Sequence, residues 1–170
     1  MFAVGDTRLG PLDRHWIAQH IPHHGAMCLL DEVLVWDAAT VRCRSTTHHS
    51  PTNPLRAHGC LGAACGIEYA AQAMAVHGAL VALSRGGRAP EGYLASVRNV
   101  QLYIGRLDDL AGALVARASR VHGDESTALY DFSLREASAT AESTADGRLL
   151  LSGRAAIAFR LPAREPSRRT

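Results

Sequence analysis

The chain contains no lysine: all 18 basic residues are arginine, set against 16 acids for a formal net charge of +2. With alanine abundant, this bias reads as the mark of a GC-rich genome and not of a selected binding surface. Aromatics are also scarce, at 5%, and no basic stripe interleaves with them, which argues against a dedicated nucleic-acid binder. No apolar run approaches the roughly 18 residues of a membrane-spanning helix, and Met1 to Gly10 lacks the basic-then-apolar order of an export signal. A cytoplasmic protein that keeps clear of membranes is expected. The four cysteines, Cys28, Cys43, Cys60 and Cys65, form no CxxC pair and sit in apolar or strand-like surroundings, so reduced thiols are expected.

What is present is enough for one core: 170 residues, 47% of them hydrophobic. Asp13 to His20 reads as a short helix capped by Asp13 and stopped at Ile21-Pro22, because a residue before proline disfavours helix. Cys28 to Trp36 and Thr40 to Thr47 read as two strands joined at Asp37-Ala38-Ala39. After a loop from His48 to Gly59, the proline-free, alanine-rich stretch Cys60 to Ser84 predicts one long helix, closed by Gly86-Gly87. It is apolar almost all round and therefore belongs inside the molecule. Four further strands follow: Tyr93 to Ile104, Ala113 to Val121, Ala128 to Glu136 and Leu149 to Phe159. Residues 1–20 are expected to form a helical lead-in, 21–160 one domain and 161–170 a flexible tail. An α+β antiparallel sheet of five to six strands wrapped around one helix is the outline of a hotdog fold. Its exposed edge strand would be protected by pairing two sheets in a dimer.

Glu68 is the most informative residue, a carboxylate in the middle of an apolar helix that must be paired, hydrated or functional. Gln72 lies one turn later on the same stripe. A salt bridge from Glu68 to one of the many arginines is the structural alternative to a catalytic role. The histidines cluster in two loops, His20, His23 and His24 before the first strand and His48, His49 and His58 before the long helix. No metal is expected, since Pro22 keeps the first group off a common helix face and no cysteine or acid joins it at ligand spacing.

Two segments carry a family resemblance. Ile21-Pro22-His23-His24-Gly25-Ala26-Met27-Cys28-Leu29-Leu30-Asp31-Glu32-Val33 resembles the LPHR…FLLVDRV segment of 3-hydroxyacyl-acyl carrier protein dehydratases, and Glu68-Tyr69-Ala70-Ala71-Gln72 resembles their EAMAQ motif. Gly92 to Val100 looks like the strand after the helix in that family. The resemblance runs from about Ile21 to Phe159 and is greatest to the divergent dehydratase-like branch of aryl polyene and related pigment clusters. It implies loss of water from a 3-hydroxyacyl thioester, in which one group removes a C2 proton and another protonates the departing hydroxyl. Glu68 matches the catalytic carboxylate, which in the family faces a histidine of the other subunit. The catalytic histidine is His23, in the PHH segment, or His48 or His49, since His49-Ser50-Pro51-Thr52-Asn53-Pro54 echoes the family's HFPxxP loop at a longer distance from the glutamate. Gln72, Leu61, Gly62, Ala63, Cys65, Ala95 and Ser96 are the expected substrate-binding positions. Free N–H groups at Leu61 to Ala64, the expected start of the helix, would face the thioester carbonyl. Gly62 and Ala63 stand where relatives carry Pro-Gly.

The resemblance implies no cofactor, the acyl group arriving on the phosphopantetheine arm of acyl carrier protein. Arg56, Arg98 and Arg106 are candidates to meet the carrier's acidic surface or the arm's phosphate. Two other functions compete: a non-catalytic subunit paired with an active dehydratase, and a hotdog thioesterase. The partner in the assembly is a second copy or another hotdog subunit.

Overall fold

The computed structural model describes residues 12–137 and 147–160. The lead-in before Leu12 and the tail at 161–170 lie outside the described residues. Helix α1 (Arg14–His20) starts where the Asp13 carboxylate accepts the Trp16 N–H at 3.0 Å, and it ends at Ile21, whose backbone is extended ahead of Pro22. Strands β1 (Glu32–Trp36) and β2 (Thr40–Ser45) form the expected hairpin. Its turn is fastened by Asp37, whose Oδ1 accepts both the Ala39 and Thr40 N–H at 2.7 Å.

The segment before β1 departs from the expected strand. Cys28, Leu29 and Leu30 are fully buried but irregular, and side chains meet the backbone of Leu29: its N–H donates to Gln72 and its carbonyl accepts from Ser45 and Thr47. A run of apolar residues announces burial, not ladder pairing.

Helix α2 (Gly66–Ser84) is shorter than expected. Leu61 and Ala63 pair instead with residues near Arg106, and a single 3-10 turn, Ala63–Cys65, leads into the helix. A Cβ at Gly66 would meet the Leu151 side chain and come within 2.8 Å of Leu134 Cδ2, so the helix begins against the sheet at a residue without a side chain. The helix packs on β2, β4 (Leu114–Gly123) and β5 (Thr127–Glu136), and buries Tyr69, Ala73, Met74, Val76 and Leu80.

With β3 (Gly92–Leu102) and β6 (Arg148–Phe159), the strands form one antiparallel six-stranded sheet in the order β1-β2-β4-β5-β6-β3. This is the hotdog architecture, with the strands after the helix within a few residues of the expected limits. The connection through α2 carries the chain to the far edge, where β3 lies with one side unpaired among the described residues. Tyr93, Leu94, Leu102 and Tyr103 are exposed on or beside it.

Candidate active site

The later start of α2 changes the setting of Glu68. It stands in the first turn of the helix and not mid-helix, with 30% of its side chain exposed. There a negative charge is favoured by the free N–H groups of the helix end. Its Oε1 lies 3.0 Å from His23 Nε2 and accepts a second bond, also 3.0 Å, from Gln72 Nε2. No arginine reaches it among the described residues, so the structural alternative of a buried guanidinium pair is not what forms. Burial pushes the Glu68 carboxyl up, but the bonds from His23 and Gln72 and the charge of His23 outweigh it and hold the group below its ordinary 4.5. The carboxylate is ionised at neutral pH. The family resemblance placed the histidine on another subunit; here the bonded imidazole belongs to the same chain.

His23 reaches this position because Pro22 ends the preceding helix and Gly25, at φ +58°, turns the chain back. Its Nδ1 is buried without a hydrogen-bond partner. Gln72 then binds the loop to the helix. Its Nε2 donates to the Met27 carbonyl at 2.7 Å as well as to Glu68, and its Oε1 accepts the Leu29 N–H at 2.8 Å. The side chain is fully buried, and its three hydrogen bonds hold the His23 loop and the Glu68 carboxylate together.

The second histidine cluster lies elsewhere. His49 Nε2 donates to the Leu110 carbonyl at 2.8 Å. His48 is fully buried, its ring 3.8 Å from that of His49, and both its nitrogens lack partners. Neither bonds to Glu68. Burial, then the neighbouring His49, pull His48 down to about 4, so its ring is neutral.

The expected oxyanion turn is partly occupied. The Leu61 N–H donates to Asp108 Oδ1 at 3.1 Å and the Ala63 N–H to the Gly105 carbonyl at 3.0 Å, so neither is free for a ligand. The Gly62 N–H has no backbone acceptor among the described residues and acts on the Cys65 sulfur, a weak acceptor. Cys65 donates its thiol to the Leu55 carbonyl at 3.6 Å. Ala95 and Ser96 lie on edge strand β3, Ala95 at a bulge, and neither bonds to the His23–Glu68 pair. Arg56 and Arg106 are both committed to Asp108 at 2.8 Å, while Arg98 is exposed on β3. Among the described residues no group of three or more His, Cys, Asp or Glu side chains is placed to hold a metal, and no helix is long and apolar enough to cross a membrane.

Sequence reasoning missed the support beneath the pair. Tyr69, fully buried, shares a hydrogen bond with Thr47 Oγ1 at 3.0 Å and accepts one from Asn53 Nδ2 at 2.9 Å. Thr47 in turn donates to the Leu29 carbonyl. The signal was a tyrosine beside Glu68 on a helix with no polar neighbour for its hydroxyl.

An antiparallel sheet around one helix, with a helix-borne carboxylate bonded to a loop imidazole, defines a hotdog protein equipped to move protons. The chain belongs to the ApeP-like family, described as ApeP dehydratase, whose profile matches residues 15–154. This bears out the dehydratase family read from the PHHGAMCLLDEV and EYAAQ segments. Among solved structures, the dehydratase heterocomplex ApeI:P from Xenorhabdus doucetiae is similar at 20% identity, over 85% of this chain and 91% of that one, with TM-score 0.71. Zebra fish thioesterase superfamily member 2 is similar at 14% identity, over 86% and 93%, with TM-score 0.55. The E. coli PaaI protein from the phenylacetic acid degradation operon follows at 12%, over 76% and 78%, with TM-score 0.53. At these identities the likenesses establish the fold. No curated protein is similar enough in sequence to count as a match.

Proposed function

We propose that this chain dehydrates 3-hydroxyacyl thioesters carried on acyl carrier protein to trans-2-enoyl thioesters in aryl polyene-type synthesis, with His23 and Glu68 as the proton-transfer pair. The observation that carries the reading is the 3.0 Å bond between His23 Nε2 and Glu68 Oε1, at the start of a helix in a chain of a dehydratase family. When the pair holds one proton, as imidazolium and carboxylate, Glu68 takes the C2 proton while His23 gives one to the C3 hydroxyl. The C3–O bond breaks, water leaves and the C2–C3 double bond forms. The proton now on Glu68 returns to His23 along the bond between them, so the pair resets without outside acid or base. The Gly62 N–H takes the carbonyl oxygen as negative charge builds on it.

Residues 21–160 act as one domain in this reading. The four cysteines are free thiols in the structure, which supports a reducing cytoplasmic setting. The unpaired edge of β3, with its exposed apolar side chains, supports assembly with a second hotdog subunit. The similar ApeI:P structure is a heterocomplex, which favours a different hotdog chain as that subunit over a second copy. No cofactor is invoked for a reaction made of proton transfers.

The test is the intact mass of a 3-hydroxyacyl-carrier protein after incubation with the purified chain. Loss of one water supports dehydration, and release of free carrier indicates a thioesterase. No change until a second hotdog subunit is added would overturn activity of the chain alone and leave the partner role.

A further inference from the structure

The carbonyl-binding role of Gly62 depends on a side chain outside the acid–base pair. Leu61 to Ala63 runs antiparallel to Gly105 to Leu107, with Gly62 opposite Arg106: the Leu107 N–H donates to the Leu61 carbonyl at 2.8 Å, and the Ala63 N–H to Gly105 at 3.0 Å. In such a pairing the residue between two bonded positions turns its own N–H and C=O outward. The Gly62 N–H therefore faces away from the Gly105–Leu107 segment, on the side of the Cys65 sulfur, a weak acceptor that a thioester carbonyl oxygen would replace. A Cβ at Gly62 would meet nothing within 4 Å, so the space beside it is open.

Leu61 is held on both of its polar groups. Its carbonyl is fixed by Leu107, but its N–H reaches past the opposing backbone to Asp108 Oδ1 at 3.1 Å. Asp108 also accepts from Arg56 Nη2 at 2.8 Å, from Arg106 Nη2 at 2.8 Å and from Arg106 Nε at 3.1 Å, and its side chain is only 5% exposed. Charge-assisted bonds on both oxygens keep the carboxylate from rotating. With both ends of Leu61 pinned, its φ and ψ, which set the direction of the next N–H, cannot drift.

We propose that Asp108 is a positioning residue: by holding the Leu61 N–H it aims the Gly62 N–H at the thioester carbonyl oxygen and so governs stabilisation of the enolate-like intermediate. This inference rests on the dehydratase reading above. Complete loss of an oxyanion donor costs about 100- to 1000-fold in turnover, so a misaimed one should cost about 10- to 100-fold.

The experiment compares the full chain, with its hotdog partner where activity requires one, as wild type, Asp108→Ala, Asp108→Asn and Arg106→Gln. Two readouts are taken: kcat and KM for a 3-hydroxyacyl thioester, and the carbonyl stretch of a bound saturated acyl-pantetheine thioester labelled with 13C, which lacks the hydroxyl and cannot react. The wild type should shift the stretch to lower frequency. Asp108→Ala should lose most of that shift and lower kcat with little change in KM. Asp108→Asn, which keeps an acceptor for the Leu61 N–H, should recover part of both, and Arg106→Gln, which leaves Asp108 on Leu61, should retain most of both. An unchanged carbonyl stretch in folded Asp108→Ala protein overturns the inference even if activity falls, because the residue would then be structural only. If the wild type shifts the stretch, loses it on Asp108→Ala, and yet dehydrates nothing, the inference stands and the dehydratase reading fails.

Discussion

Replacing His48 by leucine separates a buried structural histidine from a catalytic one. In the folded chain neither ring nitrogen makes a well-formed hydrogen bond among the described residues, and the ring resists protonation down to about 4 against an ordinary 6.5, although the Gly112 and Leu110 backbones pull it the other way. Its folded value is the lower of the two, so the unfolded chain takes up a proton as pH drops below 6.5 while the folded chain refuses it until about 4. Stability contributed by the neutral ring is therefore complete above 6.5 and is lost through that window on acidification, by about 2 kcal/mol at pH 5 and about 3 kcal/mol at pH 4. Leucine removes this pH dependence and also the unsatisfied nitrogens, worth about 1–3 kcal/mol. Urea unfolding followed by the fluorescence of Trp16 and Trp36, at pH 7.5 and pH 5, should show His48→Leu at least as stable as wild type at the higher pH. Its advantage should widen by about 2 kcal/mol at the lower. The difference between the two proteins isolates His48 from His77, which is also held neutral by burial. His49 and Glu136, the ionisable groups that act on His48 here, are present in both. An equal advantage at both pH values would refute a buried neutral ring. Abolished dehydration in a stable variant would refute the choice of His23.

Glu68→Gln should lower dehydration by about two or more orders of magnitude at unchanged fold, read as kcat on the 3-hydroxyacyl thioester. His23→Ala should match it, whereas His49→Ala should lose less than about threefold, because that ring is bonded to Leu110. With the Glu68 carboxyl held low, activity should persist below pH 4.5 and fall only as pH passes below its depressed value, as read from the acid limb of the rate profile. Gln72→Ala leaves the Leu29 N–H and the Met27 carbonyl without their partner and should destabilise the chain by about 2–4 kcal/mol in urea titrations. Gly66→Val forces side-chain branches onto Leu134 and Leu151 and should cost about 1–3 kcal/mol by the same measurement.

The strands after the helix were legible because alternation and Asp- or Gly-containing turns are local signals, as Thr127–Glu136 illustrates. Cys60 to Ala63 deceived because an alanine-rich neighbourhood looks helical, while Cys60 pairs back to Ala57 and Leu61 to Ala63 pair with residues more than forty positions later. Cys28 to Leu30 deceived for the opposite reason: its burial was plain, but the groups that finish the Leu29 backbone are side chains of Ser45 on β2, Thr47 just after it and Gln72 on α2. The identity of Glu68 and Gln72 as a pair followed from their i, i+4 spacing. The choice among His23, His48 and His49 did not, since it turns on which loop folds over the helix. Asp108 carried no sequence signal, being one acid in an Asp-Asp pair beside an arginine.

One amide, that of Gln72, ties the strip of chain from Met27 to Leu29 to the helix and steadies the carboxylate at the same time. Warming that frees this strip would part His23 from Glu68 while the sheet still holds its shape, so the protein should fall silent at a temperature below the one at which it melts.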